Sequence, residues 1–247
     1  MNRSEEGNDM NIAVIFAGGT GKRMNTRSKP KQFLELYGKP ILVYTLEQFQ
    51  NHEEIDGIVL VVLAPWIPYC QELVEKYKLS KVKDIVAGGE SALSSQRNGL
   101  TRVAELYPAD SIVLIHDGVR PLVDEETISK NIESVRKNQT AITVTPAIET
   151  ITLKTSSGEI GEIIERSKVE MARAPQSFVL KDILSAHKKA ESEGLDFIDS
   201  ASLMQHYGFR LYSVEGSPEN IKITTPNDYY IFRALVDAKE NSQIFGI

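Results

Sequence analysis

Residues 11–24 read Asn-Ile-Ala-Val-Ile-Phe-Ala-Gly-Gly-Thr-Gly-Lys-Arg-Met, an apolar run that passes directly into a glycine-rich, basic one. An apolar run with no polar alternation fits a strand covered on both faces, as in a parallel sheet. Glycines straight after such a strand let backbone N–H groups approach a polyphosphate closely. Two better-known phosphate loops are excluded by position. A dinucleotide-binding Gly-x-Gly-x-x-Gly built on Gly19 and Gly21 would need glycine where Met24 stands. A P-loop built on Gly21 and Lys22 would need glycine at Phe16 and a hydroxyl residue at Arg23. For the glycines alone, an ordinary strand–helix turn is the competing reading.

Outward from this stretch, further short runs at Ile58 to Leu63, Lys83 to Val86, Ser111 to Ile115 and Ala141 to Val144 read as buried strands. Amphipathic stretches lie between them; in Asp124 to Lys137, Ile128, Ile132 and Val135 recur at helical spacing. This alternation predicts an α/β fold, a Rossmann-like, mostly parallel sheet flanked by helices. Ligands of such sheets bind beyond the carboxyl ends of the strands, which singles out Ala17 to Pro30 and His116 to Pro121. Residues 146–173 break the pattern. Glu149 to Lys154 and Glu159 to Ile164 alternate around Ser156-Ser157-Gly158, predicting a hairpin that projects as an arm. Helices are expected at Lys181 to Ser192, at Ser200 to Tyr207 and from Thr225-Pro226-Asn227-Asp228 onward, where a capping threonine precedes proline and an acid. Residues 1–10 read as a disordered extension and residues 11–247 as a single domain.

The 247-residue chain is 41% hydrophobic and needs neither disulfides nor a structural metal to build a core. Its single cysteine, Cys70, allows no intrachain disulfide, in keeping with a cytoplasmic location. No apolar stretch approaches the roughly 20 residues that span a bilayer, and no signal-peptide core is present. A net charge of −6 argues against a nucleic-acid binder. Between Ala17 and Leu34, however, stand five cations (Lys22, Arg23, Arg27, Lys29, Lys31) and no acid, enough to hold a small anionic ligand.

His116-Asp117-Gly118-Val119-Arg120-Pro121 follows a predicted strand. Asp117, on the same sheet edge as the glycine segment, is placed to hold Mg²⁺. Arg120 could pair with a phosphate, or with Asp117 as a loop-stabilising pair. His116 is assigned to packing or loop hydrogen bonding, and no zinc spacing occurs. Lys222, on what reads as a short strand in Asn220-Ile-Lys-Ile-Thr224, and Arg166, on the arm, could each be plain surface charges.

Together these motifs resemble the methylerythritol-phosphate and ribitol-phosphate cytidylyltransferase family. The resemblance rests on Ala17-Gly-Gly-Thr-Gly-Lys-Arg-Met24, Pro30-Lys31-Gln32-Phe33, Gly88-Gly89, Ser95, His116 to Pro121, Arg166, Pro175-Gln-Ser-Phe178 and Asn220-Ile-Lys-Ile-Thr-Thr-Pro-Asn-Asp228. It implies a homodimer joined through the arm, with CTP and a phosphorylated polyol as substrates and Mg²⁺ as cofactor. Ala17, Gly18, Gly19, Thr20 and Gly21 would cradle the nucleotide, and Arg23 and Lys31 the triphosphate. Gly89 and Ser95 would seat the cytidine, Asp117 would organise Mg²⁺, and Lys222 would neutralise the α-phosphate. Arg120 and Arg166 would bind the acceptor phosphate, Arg166 in the partner's site.

The acceptor half departs from the family pattern. The arm's usual Asp-Thr reads Glu149-Thr150, which leaves Thr150 as the acceptor-side hydroxyl. The usual Gln-Thr-Pro-Gln reads Arg173-Ala174-Pro175-Gln176, without its hydroxyl. Ala92 replaces an arginine, with Arg97 nearby, and Ile198-Asp199 replaces Thr-Asp. Ala17-Gly18-Gly19 is closer to the ribitol branch than the Ala-Ala-Gly usual in methylerythritol enzymes. The resemblance therefore favours an alditol phosphate bound for a surface polymer, ribitol 5-phosphate or a hexitol phosphate, over 2-C-methyl-D-erythritol 4-phosphate of isoprenoid synthesis; the altered acceptor positions also leave open a non-catalytic CTP-binding relative.

Overall fold

The stretch 11–17 forms β1 (Asn11–Ala17), the centre of the main sheet. On one side β1 pairs in parallel with β4 (Gly57–Val62), which pairs in parallel with β5 (Val82–Ala87). On the other it pairs in parallel with β6 (Ile112–Asp117). Next comes β10 (Glu170–Val179), antiparallel to β6 and to β7 (Thr140–Pro146), and β11 (Ser213–Glu215) closes that edge in parallel with β7. This computed structural model describes residues 10–19 and 29–245. The predicted disordered extension, apart from Met10, lies outside the described residues, as do Thr20, Gly21 and Arg23.

Each strand of β1, β4 and β6 is buried on both faces, the physical reason it carries no polar alternation. Ala13, Ile15 and Ala17 face one core with α1 (Ile41–Asn51), α2 (Ile67–Lys76) and α4 (Glu125–Asn138). Ile12 and Val14 face the other, with α3 (Ala92–Leu106), α5 (Leu180–Glu193) and α6 (Ser200–His206). Each fully buried isoleucine or leucine contributes about 1.5–3 kcal/mol of hydrophobic stabilisation before entropy is counted. A third cluster joins Phe232 of α7 (Pro226–Phe245) to Ile41, Val119 and Ile223, docking the C-terminal helix beside the end of β6. Thr225 and Asp228 bond reciprocally at the start of α7, the cap that the sequence predicts.

Gly99 sets the height of α3. A Cβ there would lie 2.7 Å from methyl groups of Val14 and Val61, so only glycine lets the helix sit this close to the sheet. The helix N-terminus is thereby brought to the carboxyl ends of β1 and β5.

The predicted hairpin is present as β8 (Ile151–Lys154) and β9 (Ile160–Ile164), paired antiparallel around Gly158 at φ +91°. Glu170 already pairs with Pro146 of β7, so residues 170–173 belong to the main sheet rather than to the projection. Residues 221–224 form no strand. They are held instead by single bonds, such as Ile223 N–H to the Val119 carbonyl at 2.9 Å. A small hairpin, β2 (Glu35–Leu36) with β3 (Lys39–Pro40), precedes α1.

Candidate active site

β1 is the strand at which the order of connections reverses: the chain moves outward to β4 and β5, then returns to β6 on the other side. Diverging loops at such a point leave a crevice. A cleft of about 290 Å³ occupies it, walled by Gly18, Gly19, Lys31, Ser95, Asp117 and Lys222, with Ala17 and Gly89 also at its edge. Seven of the positions expected to handle nucleotide and reacting phosphate thus meet in one place, together with Ala17 at the strand end.

Three local devices hold the walls. Lys31 opens a 3₁₀ turn (Lys31–Phe33) whose next residue, Gln32, is buried and donates its side-chain N–H to the Ala17 carbonyl at 2.6 Å. That bond fixes Lys31 beside the end of β1 whatever lies between. On the opposite wall, Ser91 and Ser94 form a capping box at the start of α3. The Ser95 hydroxyl accepts from the Gly89 N–H at 3.0 Å and donates to the Ser91 carbonyl at 2.8 Å, tying the glycine turn to the helix. At the floor, Gly118 lets β6 turn against β1: a Cβ there would lie 2.9 Å from that of Ala17.

Asp117 is the electrostatic centre. Lys222 Nζ lies 2.6 Å from one carboxylate oxygen and Arg120 Nε donates to the other at 2.8 Å. Burial pushes the Asp117 carboxyl up, but the Lys222 and Arg120 charges outweigh it and hold the group down at about 2. Arg120 is itself buried, and a second nitrogen donates to the Asn220 carbonyl at 2.9 Å. Asn220 in turn donates to the Ala174 carbonyl at 2.6 Å. Asn220 therefore carries Lys222 into the cleft while clamping Arg120 and β10. His116 is buried, with Nε2 3.1 Å from the Arg120 carbonyl and its ring against Phe49; burial lowers it to about 4. It packs, as the sequence suggests.

The remaining expected positions fall elsewhere. Arg120 stands behind Asp117 in the loop-stabilising pair rather than on the cleft wall. Thr150 and Arg166 are exposed on the projecting hairpin, where Arg166 donates to the Ile148 carbonyl at 3.3 Å. Arg97 pairs with Glu191 of α5 at 2.7 Å, so it does not replace the arginine missing at Ala92, which lines the cleft. Gln32 and Asn220 are the positions that sequence reasoning left without a role. Their signal was their place inside the same ordered motifs as Lys31 and Lys222.

Such a cleft, with cations, backbone donors and one ionised carboxylate, suits transfer of a charged phosphate group. The comparisons agree. The profile of the family described as IspD: 2-C-methyl-D-erythritol 4-phosphate cytidylyltransferase matches residues 11–238. The chain is 53% identical over 239 residues to a ribitol-5-phosphate cytidylyltransferase of Streptococcus agalactiae serotype V, covering 96% of this chain and 100% of that protein. A ribitol-5-phosphate cytidylyltransferase of Vibrio parahaemolyticus is 48% identical over 96% of this chain and 100% of its own. The crystal structure of the 4-diphosphocytidyl-2C-methyl-D-erythritol synthase of Anaerococcus prevotii superposes with a TM-score of 0.79 at 28% identity, covering 93% of this chain and 99% of that one. The chain belongs to the methylerythritol-phosphate and ribitol-phosphate cytidylyltransferase family and is a nucleotidyltransferase.

Proposed function

We propose that this enzyme transfers CMP from CTP to a phosphorylated linear polyol, with ribitol 5-phosphate as the first candidate. The observation that carries the reading is Asp117 paired with Lys222 across from Gly18, Gly19 and Lys31 in a single cleft. The two ribitol-5-phosphate cytidylyltransferases at 53% and 48% identity and the missing hydroxyl at Ala174 favour an alditol phosphate over the methylerythritol substrate.

In the proposed reaction an oxygen of the acceptor phosphate attacks the α-phosphorus of CTP. The new P–O bond forms as the bond to the β-phosphate oxygen breaks, and pyrophosphate departs with that electron pair. A phosphate monoester has a second pKa near 6, so the nucleophile is already an anion at neutral pH and needs no general base. The work left to the protein is to bring two anions together and neutralise charge. Gly18, Gly19 and Lys31 line the side suited to the triphosphate, and Lys222 is placed to exchange Asp117 for the α-phosphate. Asp117, ionised and on the cleft wall, suits Mg²⁺, which is commonly held by one or two carboxylates and the substrate phosphates. Bound there, Mg²⁺ supplies neutralisation of phosphate charge.

We also assign the projecting hairpin to a homodimer interface. Its strands pair only with each other in the sheets described, and Leu153, Ile160 and Ile163 are exposed on it. Arg166 at its base would then serve the partner's acceptor site. The free, buried Cys70 suits a reducing cytoplasm, where we place the reaction.

The test is pyrophosphate release with CTP, Mg²⁺ and a panel of ribitol 5-phosphate, hexitol phosphates and 2-C-methyl-D-erythritol 4-phosphate. Ribitol 5-phosphate is expected to give the highest kcat/KM. A clear preference for the methylerythritol substrate would replace this reading, and no release from folded enzyme with any acceptor would end it.

A further inference from the structure

Arg173 stands where the family pattern has glutamine, on β10 where the pairing with β7 shifts between Ala172 and Gln176. In the register with β6, Gln176 lies opposite Ile115, which carries Arg173 past the end of β6 to the level of the Asp117–Gly118 turn. Its Nε donates to the buried Thr145 hydroxyl at 3.3 Å, which fixes the side chain against β7. It is half-buried, and among the described residues it has no carboxylate partner. Arg120 donates to the Asn220 carbonyl and Asn220 to the carbonyl of Ala174, the next residue after Arg173, so one side chain bridges the two arginine-bearing segments; burial and the Arg120 charge both push Arg173 below the ordinary arginine range.

Two neighbouring arginines, one without a carboxylate partner among the described residues, make a region of positive potential. Arg120 is already matched by Asp117, and two of its nitrogens are committed to Asp117 and Asn220. Arg173 is then left as one uncompensated positive charge on this side, facing a phosphate monoester that carries about 1.5 to 2 negative ones. Arg173 lies outside the cleft lined by Gly18, Gly19 and Lys31, so it is not part of the triphosphate grip.

We infer that Arg173, held by Thr145 beside Arg120, binds the phosphate of the polyol-phosphate acceptor and helps set acceptor choice in this enzyme. The inference rests on the cytidylyltransferase reading above, and its test is built to fail separately from it. Arg173→Gln and Arg173→Lys would be compared with the parent by steady-state kinetics on ribitol 5-phosphate. In parallel, inorganic phosphate would be titrated by calorimetry with CTP and Mg²⁺ present, and thermal melting would monitor folding. Loss of a charge-assisted contact predicts that Arg173→Gln raises the acceptor KM about 10-fold or more, weakens phosphate binding similarly and leaves the KM for CTP within about twofold. Arg173→Lys is expected to recover part of both effects. Unchanged phosphate affinity in a folded Arg173→Gln would overturn the inference even with transferase activity intact. If the parent transfers CMP to no acceptor, the function is wrong, while the phosphate titration still decides for or against the site.

Discussion

Asp117 ties a buried arginine to a lysine on the cleft wall through one carboxylate. Its charge is held by two cations of different standing: Arg120, buried and locked to Asn220, and Lys222, less than half exposed at the cleft. Removing the carboxylate strands Arg120 in the interior, and breaking a buried pair costs about 3–5 kcal/mol. Asp117→Ala should therefore lower both stability and rate, the rate by about 10²-fold or more. Lys31→Ala should lower the rate on the same scale with a smaller loss of melting temperature, because Lys31 is only half-buried whereas Asp117 is buried. Single-turnover CMP transfer and thermal melts check both; near-normal rates would remove these residues from the charge-stabilising role. Gly18, Gly19, Lys31, Asp117 and Lys222 were legible in the sequence because each sits in a short ordered motif. The burial of Arg120 was not, since it depends on Asn220 one hundred positions away.

Among the elements, the projecting hairpin and β10 carry the residues proposed for the acceptor. β8 and β9 leave Ile160 70% and Ile163 65% exposed, an apolar surface that a second copy would cover. Replacing both with aspartate should convert a dimer into a monomer by sedimentation velocity and reduce turnover, with each monomer still folded by circular dichroism. A parent enzyme that sediments as a monomer would refute the assignment. β1, β4, β6 and β7 were readable because strands buried on both faces cannot hide their apolar content, whereas the edge strand β5, expected to be buried, is only half-buried and carries Lys83 and Asp84. β10 was not. Arg173, Pro175, Gln176 and Ser177 give it a polar, proline-bearing sequence that argues against a central strand. The register shift between Ala172 and Gln176 accommodates the proline, and β6 and β7 cover the strand on both edges. The three-residue β11 is too short for any periodicity to show. Residues 221–224 erred the other way: they alternate like a strand but find no partner in the sheet.

For the whole molecule, pH is the most direct probe of what is buried. His116 and His187 are both lowered to about 4 by burial, whereas an unfolded chain takes up these protons near 6.5. Their stabilising contribution is complete above about pH 6.5 and is lost as pH falls toward 4, on the order of 3 kcal/mol for each. Asp117 adds a second, lower window: its depressed carboxyl stabilises above about 3.8 and loses that contribution as pH falls toward about 2. Urea unfolding from pH 7 to pH 4.5 should show stability falling with a slope approaching two protons. A flat profile would mean that these histidines are not buried as neutral rings.

The strand order also carries a consequence for how the protein is made. β1, β4, β5 and β6 are contiguous in the sheet and complete by Asp117, so that half can assemble while the ribosome is still at work. β7 emerges next but cannot join, because its place is beyond β10, and β10 begins only at Glu170. The nascent chain must carry an unpaired β7 through the whole hairpin before the gap between β6 and β7 is filled. Native-state hydrogen exchange should accordingly find β7, β10 and β11 opening as one unit below the global unfolding free energy, with β1, β4 and β6 the last to exchange. The acceptor side would then be the last part of the enzyme to form and the first to loosen, a place where sequence can drift toward new acceptors while the nucleotide side stays folded.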